Sequence, residues 1–140
     1  MAAETDRVTG WRYEAMSREL SIDVDHHGHA DCAVITVAGD IDRNSSGLLR
    51  ETIEQLVSDY RPRIVIDAEG ITFCDSTGLR VLLSGARVAS ESGGWLRLAG
   101  VSDVLKRLLQ MTGLLVWFPV DPDVATSLDH AARRDTQSPG

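Results

Sequence analysis

Along this chain, short apolar runs of strand length alternate with longer segments whose apolar residues recur at helical spacing. Five segments have the pattern of strands: 20–25, 33–38, 64–66, 96–98 and 114–118. Four segments have the pattern of helices: 48–60, 79–89, 101–109 and 121–131. The predicted element order is therefore β-β-α-β-α-β-α-β-α, which constrains the chain to a sheet covered by helices.

The direction of the strands follows from their connections. A histidine- and glycine-containing turn joins the first two strands and predicts an antiparallel edge hairpin, whereas the helical connections predict parallel pairing for the others. Pro62 stops the first helix, and Gly93 and Gly94 end the second. Asp121 followed by Pro122 predicts an N-cap and the first position of the last helix. The predicted fold class is α/β, with a mostly parallel sheet and about four helices.

Length and charge exclude several classes of protein. The 140 residues fit one domain, and a hydrophobic content of 43% provides a core. The net charge of −7 disfavours a nucleic acid or an anionic membrane as partner. Cys32 and Cys74 are far apart, without metal-ligand spacing, and predict two ordinary thiols in a reducing compartment. With no signal peptide or apolar stretch of membrane length in the sequence, we expect a cytoplasmic protein.

The junction at residues 70–83, GITFCDSTGLRVLL, carries the most specific chemistry. Here a strand pattern meets Asp75, Ser76, Thr77 and Gly78, and a helical pattern follows. A hydrolase elbow requires G-x-S-x-G, but Cys74 occupies the upstream glycine position, and no histidine base stands nearby in the sequence. An aspartic protease requires Asp-Ser/Thr-Gly in direct succession and a second such motif, and the sequence has neither.

Two further interpretations of Ser76 remain open. Serine at a strand-to-helix junction is a common N-cap and contributes about 1 kcal/mol. The positive end of a helix also tolerates an added phosphate, which Arg80, one turn on, could partly neutralise.

The segment 26–29, His-His-Gly-His, could supply metal ligands. A closed metal site needs more ligands at defined spacing, however, so a solvated turn is the simpler interpretation. We expect neither a metal nor another cofactor.

Five fragments, in order, resemble the STAS domain family of bacterial anti-sigma-factor antagonists. Residues 73–79, FCDSTGL, resemble the family signature F-x-D-S-[ST]-G-L. The other four are GDID at 39–42, IVID at 64–67, GWLRLAG at 94–100 and the segment 104–115 containing MTGL. The resemblance covers residues 18–134 and leaves 1–17 as an N-terminal extension and 135–140 as a tail. Asp40, where glutamate is commoner, and Cys74, where methionine is common, depart slightly from the family pattern.

The resemblance implies a protein that regulates transcription, for example in a stress response, rather than an enzyme. The unphosphorylated antagonist would bind an anti-sigma factor that is also a GHKL-type serine kinase, and so release a sigma factor. The kinase would phosphorylate Ser76, with Thr77 as second choice, and a PPM-type phosphatase would reverse the reaction. We expect a monomer or weak dimer.

The resemblance also implies which residues contact the kinase. They are Asp40, Asp42, Asn44, Asp75, Thr77, Gly78 and Arg80. If the loops that carry the acidic members meet at one end of the sheet, phosphate on Ser76 would join an acidic patch. The alternative role is a STAS module that senses or scaffolds without phosphorylation, in a signalling or lipid-transport complex.

Overall fold

A computed structural model describes the backbone of residues 19–26 and 32–137 and the side chains of 19–25 and 32–130. The strands are β1 (Ser21–His26), β2 (Cys32–Ile41), β3 (Arg63–Cys74), β4 (Trp95–Ala99) and β5 (Val120–Asp121). The helices are α1 (Ser46–Ser58), α2 (Ser76–Glu91), α3 (Asp103–Met111) and α4 (Val124–Gln137), with a 3-10 helix at Leu114–Trp117. The predicted fold class and element order are confirmed.

The five strands form one sheet in the order β1-β2-β3-β4-β5. β1 is antiparallel to β2, and every other pairing is parallel. Because each parallel crossover contains one helix and moves one strand along the sheet, α1, α2 and α3 cover the same face. Ile35, Ile66 and Leu98 lie in register across the three central strands and are fully buried beneath these helices.

The opposite face of the sheet has a smaller apolar cluster. Val34, Val65 and Ala99 are buried there, and Val124 and Leu128 of α4 pack against them. The central strands are therefore covered on both sides, which explains why their sequences are apolar runs rather than alternating ones.

β2 and β3 are longer than predicted. The segments 39–41 and 67–74 lie outside the predicted strands 33–38 and 64–66, but both belong to strands that pair with register shifts near Thr36 and Gly39. Gly39 has φ +102°, which only glycine adopts easily, and polar residues on β3 interrupt its apolar pattern. Because of these irregular positions, the sequence pattern does not reveal that both strands continue. The extension of β3 leads directly to the motif at residue 75.

The predicted strand at 114–118 is wrong. Leu114 and Leu115 pack against the core, whereas Val116 and Trp117 are exposed, so the burial follows one turn of a 3-10 helix rather than strand alternation. A short apolar run does not distinguish the two structures by its periodicity. The fifth strand is instead Val120–Asp121.

The predicted N-cap at Asp121 is also wrong. Asp121 is buried in β5, where its carboxylate accepts hydrogen bonds from Arg97 Nε at 2.8 Å and from the Ser127 hydroxyl at 2.6 Å. Asp123 takes the capping position, because its Oδ1 accepts from the backbone N–H of Thr126 at 2.8 Å. Asp123, two residues after Asp121, is thus the residue that caps α4.

Candidate functional site

The site lies where β2 and β3 end side by side. Ile41 pairs with Cys74, the last residues of the two strands, and the Asp75 N–H donates to the Ile41 carbonyl at 3.1 Å. The loop after β2 carries Asp42 and Asn44, and the turn after β3 carries Asp75, Ser76 and Thr77. The structure therefore brings these two loops together at one end of the sheet.

The loop after β2 is held by its own hydrogen bonds. Asp42 Oδ1 accepts from the backbone N–H groups of Asn44, at 2.9 Å, and Ser45, at 3.1 Å. The Ser45 hydroxyl lies 2.9 Å from the Asp40 carbonyl and 3.1 Å from Asp42 Oδ1. Asp40 also accepts a hydrogen bond from the Thr72 hydroxyl of β3. These bonds fix the loop, while the Asn44 side chain remains exposed.

The N-cap of α2 is Asp75. Its backbone is extended, and its Oδ1 accepts from the Gly78 N–H at 3.0 Å, which is the usual N-cap geometry. The interpretation of Ser76 as the cap is therefore wrong, because Asp75, one position earlier, already fills that role. Asp75 is among the predicted kinase contacts, and the structure adds this capping contact.

Ser76 is the first residue of α2 and is exposed. Among the described residues, its hydroxyl has no hydrogen-bond partner. It stands at the positive end of a 16-residue helix. Thr77 is half-buried, which makes it the less accessible of the two hydroxyls, and Arg80 is exposed one turn along the helix.

Gly78 allows close packing within this chain. A Cβ atom there would lie 2.7 Å from both Cys74 Sγ and Ile41 Cγ2, closer than real side chains approach. Gly78 is not among the glycines with positive φ, so its backbone conformation does not require glycine. The missing side chain seats the first turn of α2 directly on the ends of β2 and β3, which positions Ser76. Contact between Gly78 and a partner stays a prediction.

Cys74 is close to this site but chemically quiet. Burial, followed by the negative charge of Asp75, raises the pKa of its thiol to about 12. The thiol therefore remains protonated near neutral pH and is a weak nucleophile. Both cysteines are free and buried, as expected of ordinary thiols.

Of the histidines, His130 is the one whose side chain the structure describes, and it does not lie beside Ser76. His130 lies on α4, across the sheet, with Nε2 3.5 Å from Asp121 Oδ1. His26 ends β1, and the rest of the histidine turn lies outside the described residues. Within the described part of the chain, no cluster of three or more potential ligands could hold a metal ion.

A groove that the sequence analysis missed adjoins the site. It lies between the end of β3 and α3, has a volume of about 250 Å³, and is lined by Ile71, Phe73, Cys74, Val104, Leu108 and Met111 among others. The sequence contains one indication of this groove. The apolar residues of α3 cover more of the helix circumference than a single buried face requires, so some of them are expected to be exposed.

Comparison with known proteins gives the family. A family model described as "Mlab, STAS domain" matches residues 22–116. The chain belongs to the STAS domain family. The match includes β2, β3, α1, α2 and the loops that connect them. Every predicted site residue therefore lies inside it.

Individual relatives agree with this assignment. The anti-sigma F factor antagonist of Paenibacillus polymyxa is 26% identical over 102 residues, covering 72% of this chain and 86% of the relative. The anti-sigma-B factor antagonist of Bacillus subtilis is 32% identical over 95 residues, covering 68% and 86%. The crystal structure of an anti-sigma factor antagonist from Mycobacterium paratuberculosis superposes with a TM-score of 0.72 at 26% identity, covering 80% of this STAS chain and 93% of that one.

No helix in the described part of this STAS protein is long and apolar enough to cross a membrane.

Proposed function

We propose that this STAS protein is a cytoplasmic anti-sigma-factor antagonist that binds an anti-sigma-factor serine kinase while Ser76 is unphosphorylated. Binding removes the kinase from a sigma factor, and phosphorylation of Ser76 ends the complex. A PPM-type phosphatase restores the binding form. In this cycle the chain is a ligand and a substrate, and the GHKL-type kinase and the phosphatase supply the catalysis.

The observation that carries the proposal is the state of the Ser76 hydroxyl. It is exposed, it has no hydrogen-bond partner among the described residues, and Asp75 has already taken the capping role. A kinase can therefore reach the oxygen and modify it without removing a contact on which the fold depends. The resemblance of the curated relatives, both named as antagonists, supports the same role.

Charge explains how one phosphate would separate two proteins. A phosphate adds about −1.5 to −2 charges at neutral pH. The carboxylates of Asp40, Asp42 and Asp75 belong to the same end of the sheet, so the new charge joins an acidic surface. A poorly paired charge in an interface costs about 2–5 kcal/mol. This weakens binding roughly thirtyfold to several-thousandfold.

The same location explains why the fold need not change. The phosphate stands at the N-terminus of α2, where the helix dipole and Arg80 oppose its charge. The modified chain keeps its helix, and only the partner meets an unfavourable surface. Asn44 and Asp42, on the preformed loop beside Ser76, are proposed kinase contacts.

The test combines mass spectrometry with binding. Incubation with the purified cognate kinase and ATP should add one phosphate at Ser76, none to Ser76→Ala, and one to Thr77→Ala. In pull-downs, Ser76→Ala should hold the kinase and Ser76→Asp should lose it. Full labelling of Ser76→Ala, or phosphate found only on another residue, would falsify the assignment of the acceptor.

A second candidate is a sensing or scaffolding STAS module that works without phosphorylation. The matching family model is described as "Mlab, STAS domain", which names neither a kinase nor phosphorylation and so fits this candidate as well. In that case Ser76→Asp should bind every partner of the wild-type chain with unchanged affinity. The two functions therefore predict opposite results for one variant.

A further inference from the structure

The groove between β3 and α3 has exposed apolar walls that a free-standing domain does not need. Of the eight large apolar side chains with high exposure among the described residues, three line it: Phe73 at 50%, Val104 at 73% and Met111 at 75%. Its floor is closed by buried Ile71 and Cys74. Exposed apolar surface concentrated at one place commonly marks a protein-binding site.

The groove is continuous with the proposed phosphorylation site. Phe73 precedes Ser76 by three residues, so their Cα atoms are at most about 11 Å apart. A stable protein interface buries roughly 800 Å² on each partner, equivalent to a disc of about 16 Å radius. An interface of this size centred on Ser76 therefore reaches as far as Phe73.

Helix α3 presents the opposite wall of the groove. Val104, Leu108 and Met111 are spaced i, i+4 and i+7, which aligns them along one side of the helix. Arg107 is the one charged residue lining the groove among the described residues. An apolar side chain accompanied by a carboxylate fits this combination, whereas a lysine or arginine of a partner would meet Arg107.

We propose that this groove is a second docking point for the kinase that phosphorylates Ser76, and that it receives an apolar segment of the kinase flanked by acidic residues. The inference rests on the proposed function. The groove carries affinity in both phosphorylation states, whereas Ser76 carries the switch. Affinity and switching are thus assigned to neighbouring but separate surfaces.

Val104→Glu tests the groove without endangering the fold. Residue 104 is in the first turn of α3, where a negative charge is favourable to the helix, and its side chain is largely exposed. Tyr60→Asp is the matched control. It also replaces an exposed apolar side chain, 85% accessible, with an acid, but it precedes β3 and so lies at the far end of the sheet. Aspartate tolerates the φ of +65° at that position.

The probe is the purified kinase that labels Ser76. It is titrated against each variant in the presence of ADP instead of ATP, so that no phosphate is transferred. We expect Val104→Glu to weaken binding at least tenfold, because a carboxylate replaces an apolar contact. Tyr60→Asp should bind as the wild type does, and both variants should keep the wild-type melting temperature. In steady-state phosphorylation, Val104→Glu should raise KM and leave kcat nearly unchanged.

The outcomes separate the two proposals. If wild-type Ser76 is phosphorylated but Val104→Glu binds with wild-type affinity, the groove proposal is overturned and the switch stands. If no kinase labels wild-type Ser76, the proposed function itself fails. If Tyr60→Asp loses as much affinity as Val104→Glu, the effect is one of overall charge, which also overturns the groove.

Discussion

At the scale of single residues, Asp75 and Ser76 divide two roles that sequence patterns assign to one position. Asp75 accepts the Gly78 N–H and begins α2, while the Ser76 hydroxyl points into solvent-accessible space without a partner among the described residues. Both residue types are good N-caps, so their identity does not decide between them. The decision comes from the end of β3 at Cys74, which leaves residue 75 in extended conformation.

This division predicts the stability of two alanine variants. Asp75→Ala should lower the free energy of unfolding by about 1 kcal/mol, because an N-cap is lost. Ser76→Ala should change it by less than about 0.5 kcal/mol, since no contact is removed. Urea denaturation followed by circular dichroism measures both. The opposite order of effects would show that Ser76 caps the helix after all.

At the scale of elements, the position of Ser76 depends on how tightly α2 is seated on the sheet. Gly78 brings the first turn of the helix against Cys74 and Ile41, and no side chain fits between them. The elements that hold the site are therefore the two central parallel strands and one helix, which are also the best-buried parts of the core.

Glycine-to-alanine substitutions at two helical positions should therefore have opposite effects. Gly78→Ala should destabilise the chain by about 1–3 kcal/mol through overpacking. Gly47→Ala, in the first turn of α1, meets nothing within 4 Å and should stabilise it by about 0.5 kcal/mol. Thermal melting of the two variants beside the wild type makes the comparison. Equal changes would mean that helix propensity alone acts at both sites.

At the scale of the whole molecule, a charged group joins α4 to the far edge of the sheet. Asp121 of β5 is 4% exposed and accepts hydrogen bonds from Arg97 and Ser127. Burial raises the pKa of this carboxyl, but the hydrogen bonds from Arg97 and Ser127 and the nearby positive charge outweigh it and hold the pKa below its usual value. The ionised form is therefore the one that the fold stabilises.

The sign of the resulting pH dependence follows from linkage. Because the folded pKa is depressed, the stabilisation is complete above the unfolded value, near 3.8, and is lost as the pH falls through the folded value. We expect the melting temperature to fall below about pH 4. Asp121→Asn should be less stable at pH 7 and should show a smaller loss on acidification. A carbon-13 NMR titration of Asp121 measures the pKa directly, and a value at or above 3.8 would contradict the prediction.

The sequence predicted the order of the elements and the junction at Ser76 because both depend on local patterns. Alternating strand and helix periodicities predicted a parallel sheet, and the structure shows that the loops after β2 and β3 meet at one end of it. The errors occurred where tertiary contacts decide. Asp121 became a buried ion-pair partner through Arg97, 24 residues earlier, and the pairing of β2 with β3 extended both strands across polar residues.

The groove beside Phe73 was missed for a related reason. The apolar spacing at 101–109 predicts a helix without ranking its apolar residues, yet the Val104 side chain is exposed while Leu105 and Leu109 are buried. Apolar periodicity identifies a helix but does not say how wide its buried stripe is. Only the placement of α3 against β3 shows which of its apolar residues remain uncovered.

The unbonded hydroxyl of Ser76 has a consequence for the lifetime of any signal it carries. Under the proposed cycle, the modified and unmodified chains keep the same packed core, so cellular proteases would degrade both at similar rates. Neither form would be cleared selectively. The memory of a past stimulus would then reside in the phosphoester bond alone, and it would last as long as the phosphatase leaves that bond intact.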